Sequence, residues 1–150
     1  MSLAIVTVAD SISKLTVTGV TLKDLNEIPT SVSARACPIL YPRPDGFISG
    51  FDVERMSMGS GSGAQLNVTY SLNYRFLFLP IGAERGLFAL YPTFVAKIAL
   101  IADTMLASDA ITGLVDLQMI DISEVGPVSD PMGNKFHGCD ISFEVLEFVN

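Results

Sequence analysis

The clearest pattern in the chain is a strict alternation of apolar and polar residues over Leu66–Phe78. Every even-numbered position in this segment is apolar or aromatic, and the odd-numbered positions from Gln65 to Arg75 are polar. A period of two places successive side chains on opposite faces of a strand. The segment is therefore predicted to be one long strand with one buried face, which ends at Pro80-Ile81-Gly82.

Two segments have apolar residues at helical spacing instead. In Ser2–Leu15 the apolar positions are three or four residues apart, which predicts an amphipathic helix, although the β-branched residues of the segment also permit a strand. From Leu87 to Met105 an apolar stripe is accompanied by several alanines, which are strong helix formers. This second segment is predicted to be the main helix, with Pro92 in its first turn or at a kink near its start.

The rest of the chain is predicted to hold three more strands and two long loops. Partial alternation predicts strands over 47–58, 114–125 and 139–149. Residues 16–46 contain four prolines and are predicted to be a long loop with little regular structure, and Gly126–Gly138 is a second, turn-rich loop.

This order of elements predicts a single α+β domain over residues 1–150. We expect an antiparallel or mixed sheet of about four strands, with the N-terminal helix and the one long central helix packed on it. The strands come in two antiparallel pairs, with the long helix between them in the chain.

Composition then limits the classes of function. Apolar residues make up 49% of the chain and charged residues 17%, whereas ordinary soluble domains carry about 25% charged residues. A chain this apolar is expected to share part of its surface with other subunits. The net charge is −7 and the basic residues do not cluster, which argues against non-specific nucleic-acid binding and against an anionic membrane as partner.

The stretch MGSGSGAQ, from Met58 to Gln65, resembles a phosphate-binding loop only in its glycines. Such loops need a lysine or a following helix, but no lysine lies between Lys23 and Lys97, and the best strand follows the stretch. We interpret it as a flexible hairpin loop that is mobile in the free subunit and ordered against a neighbour.

No residues form a convincing catalytic, cofactor-binding or metal-binding set. His137 is the one histidine, and its pairing with Cys139 lacks an orienting third group. Two cysteines without a CxxC motif are expected to be buried free thiols in a reducing compartment. Asp116 and Asp121 are separated by an odd number of residues on a strand and are expected to face opposite sides. A further acidic set is interpreted as solvated or lumen-facing: Asp140, Glu144 and Glu147.

The layout as a whole resembles the tail terminator proteins of long flexible-tailed bacteriophages of the lambda type. The resemblance is carried by the opening helix, the stretch EIPTSVSARACPILYPRP, the strand LNVTYSLNYRFLFLP, the helix YPTFVAKIALIADTMLA and the closing HGCDISFEVLEFVN. It spans nearly the whole chain but rests on arrangement, since the family has no short diagnostic motif. No binding residue is therefore carried over from the family.

The resemblance implies a structural virion protein that is made in the host cytoplasm and is not an enzyme. Such subunits form a homo-hexameric ring that ends polymerisation of the tail tube protein and meets the head-side connector protein. DNA passes through the lumen without specific binding, which acidic strand faces would favour. No cofactor or membrane is implied. The candidate assembly-interface residues lie in the two flexible loops: Met58, Gly59, Ser60, Gly61, Ser62, Gly63, Pro131, Met132, Asn134, Phe136 and His137.

Two alternatives remain open from the sequence. The first is another head–tail joining or neck ring, or the tail tube protein itself, although a second clear helix argues against a tube protein. The second belongs to a different class, namely a small-molecule-binding or enzymatic α+β domain with a pocket between the long helix and the sheet.

Overall fold

The computed structural model describes residues 3–55, 66–82 and 87–149. Its helices are α1 (Ile5–Ser13), α2 (Leu87–Leu106) and α3 (Asp109–Thr112). Its strands are β1 (Thr21–Leu22), β2 (Ile39–Pro42), β3 (Ile48–Arg55), β4 (Leu66–Pro80), β5 (Asp116–Ile122), β6 (Gly126–Ser129) and β7 (Lys135–Val149). The stretch 58–65, interpreted as a hairpin loop, lies outside the described residues.

The sheet is built around an antiparallel pair of two long strands. β4 and β7 each have 15 residues and stay paired from Leu66 opposite Val149 to Pro80 opposite Phe136. β2 and β3 pair with the other edge of β4, and β5 and β6 pair with the other edge of β7. β1 runs parallel to β2, which makes the sheet mixed.

The expectation of about four strands is wrong, because the described residues form a sheet of seven. The protein is therefore richer in sheet than an α+β fold built on four strands and a long helix. Two of the additional strands have four residues and the third has two, so none of them is long enough to show a period of two. The expected pairing also differs, since the first long strand pairs directly with the last one.

The helices cover one face of the sheet and enclose the main core with it. Even-numbered residues of β4 and odd-numbered residues of β7 point into this core. The apolar stripe of α2 supplies its other side, and the ring centroid of Phe94 lies 5.9 Å from that of Phe76 and 4.6 Å from that of Phe78. The buried stripe of α2 is Phe94, Ile98, Ile101 and Met105.

The segment between β1 and β2 packs on the opposite face of the sheet. It contains two short 3-10 turns, Leu25–Glu27 and Ala34–Ala36, and contributes to a second apolar cluster. The buried members of that cluster are Val32, Ile39, Tyr41, Leu77 and Phe136. The expected long loop over residues 16–46 is therefore wrong in part, because this stretch supplies β1, β2 and a cover for one end of the sheet.

The other elements agree with the sequence more closely. The N-terminal segment is helical and not a strand, and the predicted apolar stripe falls within the helix Leu87–Leu106. Pro92 lies inside α2, in its second turn.

The predicted loop Gly126–Gly138 is wrong, because it contains β6 and the first residues of β7.

Candidate functional site on the open face of the sheet

Beyond the second apolar cluster, the face of the sheet opposite the helices is open. It carries the odd-numbered residues 67–75 of β4 and the even-numbered residues 140–148 of β7, with their neighbours in β3 and β5. Partners in register across antiparallel strands lie on the same face, so the pairing of Thr69 with Leu146 and of Arg75 with Asp140 defines this side. We call this surface the open face.

The open face carries carboxylates on three strands, beside the exposed apolar side chains of Met119 and Phe148. Asp52 and Glu54 of β3 pair with odd-numbered residues of β4, and Asp116 and Asp121 of β5 pair with even-numbered residues of β7. Register therefore places all four on the open face, together with Glu144 of β7. Carboxylates gathered on one surface create a negative potential that repels other anions.

A β-bulge in β5 corrects the expectation that Asp116 and Asp121 face opposite sides. The register between β5 and β7 shifts between Leu117 and Met119, so one extra residue is accommodated there. Asp116 lies opposite Leu146 and Asp121 opposite Ser142, both even-numbered residues of β7. Because of the extra residue, Asp116 and Asp121 lie on the same face of the sheet although their numbers differ by five.

A shallow cavity of about 180 Å³ lies in the middle of the open face. Asn73 is its buried polar centre: its Nδ2 donates to the Gly46 carbonyl oxygen at 2.8 Å and to Ser49 Oγ at 2.9 Å. Its Oδ1 accepts from Ser142 Oγ at 2.6 Å. These bonds tie β3, β4 and β7 together and satisfy the side chain of Asn73. Asp121 and Glu144 lie at its rim.

Asp140 lies on the open face, where it forms partly buried ion pairs with Arg43 and Arg75. Arg75 Nε donates to Asp140 Oδ1 at 2.8 Å and Arg75 Nη2 donates to Oδ2 at 3.2 Å, a two-pronged contact. Arg43 Nη1 lies 3.4 Å from the same Oδ2. The hydrogen bond to Asp140 raises the pKa of Arg75 above its ordinary value. The charge of Asp140 is thus balanced, and it adds little to the negative potential of the open face.

Glu147 does not share a face with Asp140 and Glu144, which corrects the expected acidic set. Its odd number on β7 points it into the helix-covered core, where it is 5% exposed. Its Oε2 accepts from Tyr70 Oη at 2.7 Å and its Oε1 accepts from the Ala4 backbone N–H at 2.7 Å. Glu147 therefore anchors the start of α1 to the sheet and is not lumen-facing.

The candidate interface residues of the second loop are divided between the surface and the interior. Pro131, Met132 and Asn134 are exposed in the turn between β6 and β7, with Met132 at 69% exposure. Phe136 is buried in the second apolar cluster, which removes it from any surface. His137 is half-buried on β7, opposite Leu79. Met58, Gly59, Ser60, Gly61, Ser62 and Gly63 lie outside the described residues.

The outer surface of α2 is apolar as well as its inner stripe. Tyr91, Val95, Ala99 and Leu106 are exposed and recur at spacings of four and seven, so they line one side of the helix. We call this the outer stripe of α2. A helix that is apolar on more than its core side is typical of one that is covered by another molecule. Phe51 and Val53 of the edge strand β3 are exposed too.

The thiols are unsuited to nucleophilic chemistry. Both cysteines are free; Cys139 is buried in the core and Cys37 is half-buried at the second cluster. Burial raises the pKa of Cys37 to about 11 and that of Cys139 to about 12. Both are therefore protonated at neutral pH, and the thiolate is the reactive form. Among residues 3–55, 66–82 and 87–149, no group of three or more potential metal ligands comes together.

Sequence reasoning missed most of the open face. Asp52 and Glu54 were on the expected solvated side of their strand, but nothing local linked them to β5 or to Glu144.

No protein-family model and no curated protein matches the chain. Within the part of the chain that the structure describes, no helix is long and apolar enough to cross a membrane.

Proposed function

We propose that this protein is a ring-forming structural subunit of a bacteriophage tail, which acts as a tail terminator. In this proposal a homo-hexamer caps the tail tube, ends polymerisation of the tube protein and meets the head-side connector in the virion. The observation that carries the proposal is the division of the surface into an acidic open face and an apolar outer stripe on α2.

The acidic open face suits the lumen of a ring through which DNA passes. Duplex DNA carries one negative charge per about 1.7 Å of helix axis, and proteins that hold it neutralise these charges with lysine and arginine. The open face instead presents Asp52, Glu54, Asp116, Asp121 and Glu144. A lumen of this charge repels the phosphates and lets DNA slide without being held.

The outer stripe of α2 suits a contact between subunits. Tyr91 and Val95 are each close to half exposed, as are Phe51 and Val53 on the edge strand β3. Burying exposed apolar side chains against a partner is favourable, because it removes apolar surface from water. In a ring every subunit offers the same surfaces, so such patches are covered by repetition of one contact.

One alternative gains support and another loses it. A sheet of seven strands is closer to what a tail tube protein would need, so the tube protein and another neck ring stay open beside the terminator. A pocket between the helices and the sheet is disfavoured, because the cavity there, lined by Val8, Met105 and Phe143 among others, measures about 10 Å³. That volume is about enough for one water molecule.

The test is to add the purified protein to polymerising tail tube protein and to measure tube lengths by negative-stain electron microscopy. We expect rings at one end of each tube, and we expect capped tubes not to elongate when more tube protein is added. A Val95→Asp variant places a charge in the outer stripe and is expected to abolish capping without unfolding the subunit, since Val95 is exposed.

Ala96→Asp is the matched control, because it adds the same charge to the neighbouring exposed position outside the outer stripe. Unchanged tube lengths and bare tube ends with the wild-type protein would reject the terminator function. Incorporation of the protein along the whole tube would instead identify it as a tube protein. Equal capping by both variants would remove the outer stripe from the interface and leave the function standing.

A further inference from the structure

Two strands, β3 and β5, lie at opposite edges of the sheet with no further described strand beside them. β3 pairs with β4 alone, and β5 pairs with β7 alone. They have similar lengths, eight residues in β3 and seven in β5. An edge strand of this length presents a row of outward backbone N–H and C=O groups, which makes it a template for pairing with another chain.

The backbone of β3 points outward at Val53. Asn73 of β4 donates its N–H to the Phe47 carbonyl oxygen at 2.8 Å. Backbone groups alternate in direction along an antiparallel strand, so the odd-numbered residues of β4 point theirs toward β3. Asp52 lies opposite Thr69 and is therefore bonded to β4. The next residue, Val53, has its N–H and C=O directed away from the sheet.

The same alternation applies to β5. Ser123, which directly follows the strand, donates its N–H to the Asp140 carbonyl oxygen of β7 at 2.9 Å. The register from Met119 to Ile122 is regular, so the backbone groups of Ile120 and Ile122 point away from β7. Both edges therefore offer outward groups on residues whose side chains lie on the helix side of the sheet.

The side chains of the two edges match face by face. Val53 and Ile122 lie opposite buried residues of β4 and β7, yet they are 44% and 37% exposed. The helices thus leave apolar side chains uncovered at both edges. On the open face the same edges carry carboxylates, Asp52 on β3 and Asp121 on β5. Each edge is apolar on the helix side and acidic on the open face.

We propose that β3 of one copy of this chain pairs with β5 of a second copy, so that the sheet continues from one subunit into the next. β3, β4, β7 and β5 alternate in direction, so β3 and β5 run antiparallel. A neighbour in the same orientation therefore presents β5 antiparallel to β3, with its apolar side chains on the helix side. This inference deepens the proposed function and rests on its claim that copies of the chain associate.

The contact joins two different surfaces, so it repeats from copy to copy and closes into a ring when the rotation allows. Pairing of β3 with β3 of a second copy would instead leave every β5 edge uncovered. Each edge also has a bulge and carboxylates, which limit indiscriminate pairing. Because the carboxylates repel one another, we expect association to strengthen from about 10 mM to 150 mM salt, where the Debye length falls from about 30 to about 8 Å.

Cross-linking tests which edges meet. Val53→Cys and Ile122→Cys are made separately in a Cys37→Ser background, mixed at high concentration and treated with a short bismaleimide, alone and on tail tubes. We expect a linkage between positions 53 and 122 of different copies, identified by peptide mapping. Val6→Cys, an exposed position on α1, replaces Ile122→Cys as the control and should give no linkage.

The linkage pattern decides between the possible contacts. A linkage formed by Val53→Cys alone would show that β3 pairs with itself, which would overturn the proposal. Absence of the linkage between positions 53 and 122, both in solution and on tubes, would also overturn it.

A backbone substitution tests the pairing independently. Val53→Pro removes an outward N–H and no hydrogen bond to β4, and proline is tolerated on edge strands. We expect it to weaken association, measured by sedimentation, by about tenfold or more. Val53→Thr keeps the N–H and the branched shape and is the matched control, while circular dichroism verifies that both variants are folded. Equal association of the two variants would contradict the pairing.

The capping assay separates this inference from the proposed function. Capping of tail tubes by Val53→Pro at the wild-type level would overturn the edge pairing and leave the terminator function standing. A linkage between positions 53 and 122 together with bare tube ends would support the pairing and reject the terminator function.

Discussion

Gly138 shows how little room the paired strands leave for a side chain. It lies on β7 directly opposite Gly126 of β6. A Cβ at Gly138 would overlap the carbonyl oxygen of Phe76 on β4 and lie 2.8 Å from Val128 Cγ2. The same atom at Gly126 would meet nothing within 4 Å. Of these two paired glycines, only Gly138 has no room for a Cβ atom.

We expect Gly138→Ala to lower the free energy of unfolding by about 3 kcal/mol, at the upper end of the cost of overpacking, because a backbone atom cannot move aside cheaply. Gly126→Ala is the control, and we expect it to stay within about 0.5 kcal/mol of wild type. Urea denaturation followed by circular dichroism measures both. Equal effects at the two positions would show that β6 and β7 are not packed in this way.

The turn between β6 and β7 is held by a buried carboxylate. Asp130 is 4% exposed and accepts four N–H groups, three from its own turn and one from Val32 in the segment that covers the second cluster. Burial by itself raises the pKa of Asp130, but these hydrogen bonds outweigh it and leave the pKa below its ordinary value of 3.8. One side chain thus joins two elements that are about a hundred residues apart in the chain.

We expect Asp130→Asn to lower the free energy of unfolding at pH 7 by about 2 to 3 kcal/mol, because hydrogen bonds to a charged group are lost. The pKa of Asp130 is lower in the folded than in the unfolded protein, so its contribution is complete above about pH 4 and is lost as the pH falls further. The difference between variant and wild type should therefore shrink below pH 4.

Urea denaturation across pH 2.5 to 7 measures this dependence. Asp45→Asn, which changes an exposed carboxylate between β2 and β3, serves as the control and should change stability by less than about 0.5 kcal/mol. A difference for Asp130→Asn that stays constant down to the lowest pH would contradict the assignment.

Taken as a whole molecule, the protein has a surface of two kinds. The open face gathers carboxylates from three strands, while the outer stripe of α2 is apolar, as are the exposed side chains of Phe51 and Val53 on β3. The net charge is −7, and the carboxylates gathered on the open face make the potential there negative. A surface of this kind repels other anions, and the apolar surfaces are where we propose that subunits associate.

The wild-type protein is therefore expected not to retain duplex DNA, and the triple variant Asp52→Lys, Asp121→Lys, Glu144→Lys is expected to bind it. Three reversals bring the net charge from −7 to about −1 and make the open face basic. Fluorescence anisotropy with labelled DNA should show binding that weakens steeply between about 50 mM and 200 mM salt.

The same three charge reversals placed elsewhere provide the comparison. Asp10, Asp103 and Asp109 lie on α1, α2 and α3, the helices that cover the other face of the sheet. Their replacement by lysine gives the same net charge but no basic sheet face. DNA binding by this variant of equal strength would show that total charge, and not the open face, governs the response.

The elements with long runs could be read from the sequence. β4 shows its period of two from Leu66 to Phe76, and the buried stripe of α2 follows helical spacing from Phe94 to Met105. The spacing of apolar residues in Ser2–Leu15 likewise predicts the N-terminal helix. Periodicity reports which side of an element is buried, and a long element repeats that information often enough to be recognised. The composition likewise indicated a surplus of apolar surface.

The pairing of strands and the composition of the open face were decided by contacts between distant residues. β1, β2 and β6 are too short to show a period; β2 and β6 pair with the long strands β4 and β7, and β1 pairs with β2. The bulge at Leu117–Met119 sets the side of Asp121, and a one-residue shift reverses every face that follows it. The register of β7 sends Glu147 into the core and Glu144 outward. Local sequence carries the period of a strand, but its partner, its register and its bulges depend on the free energy of the assembled sheet.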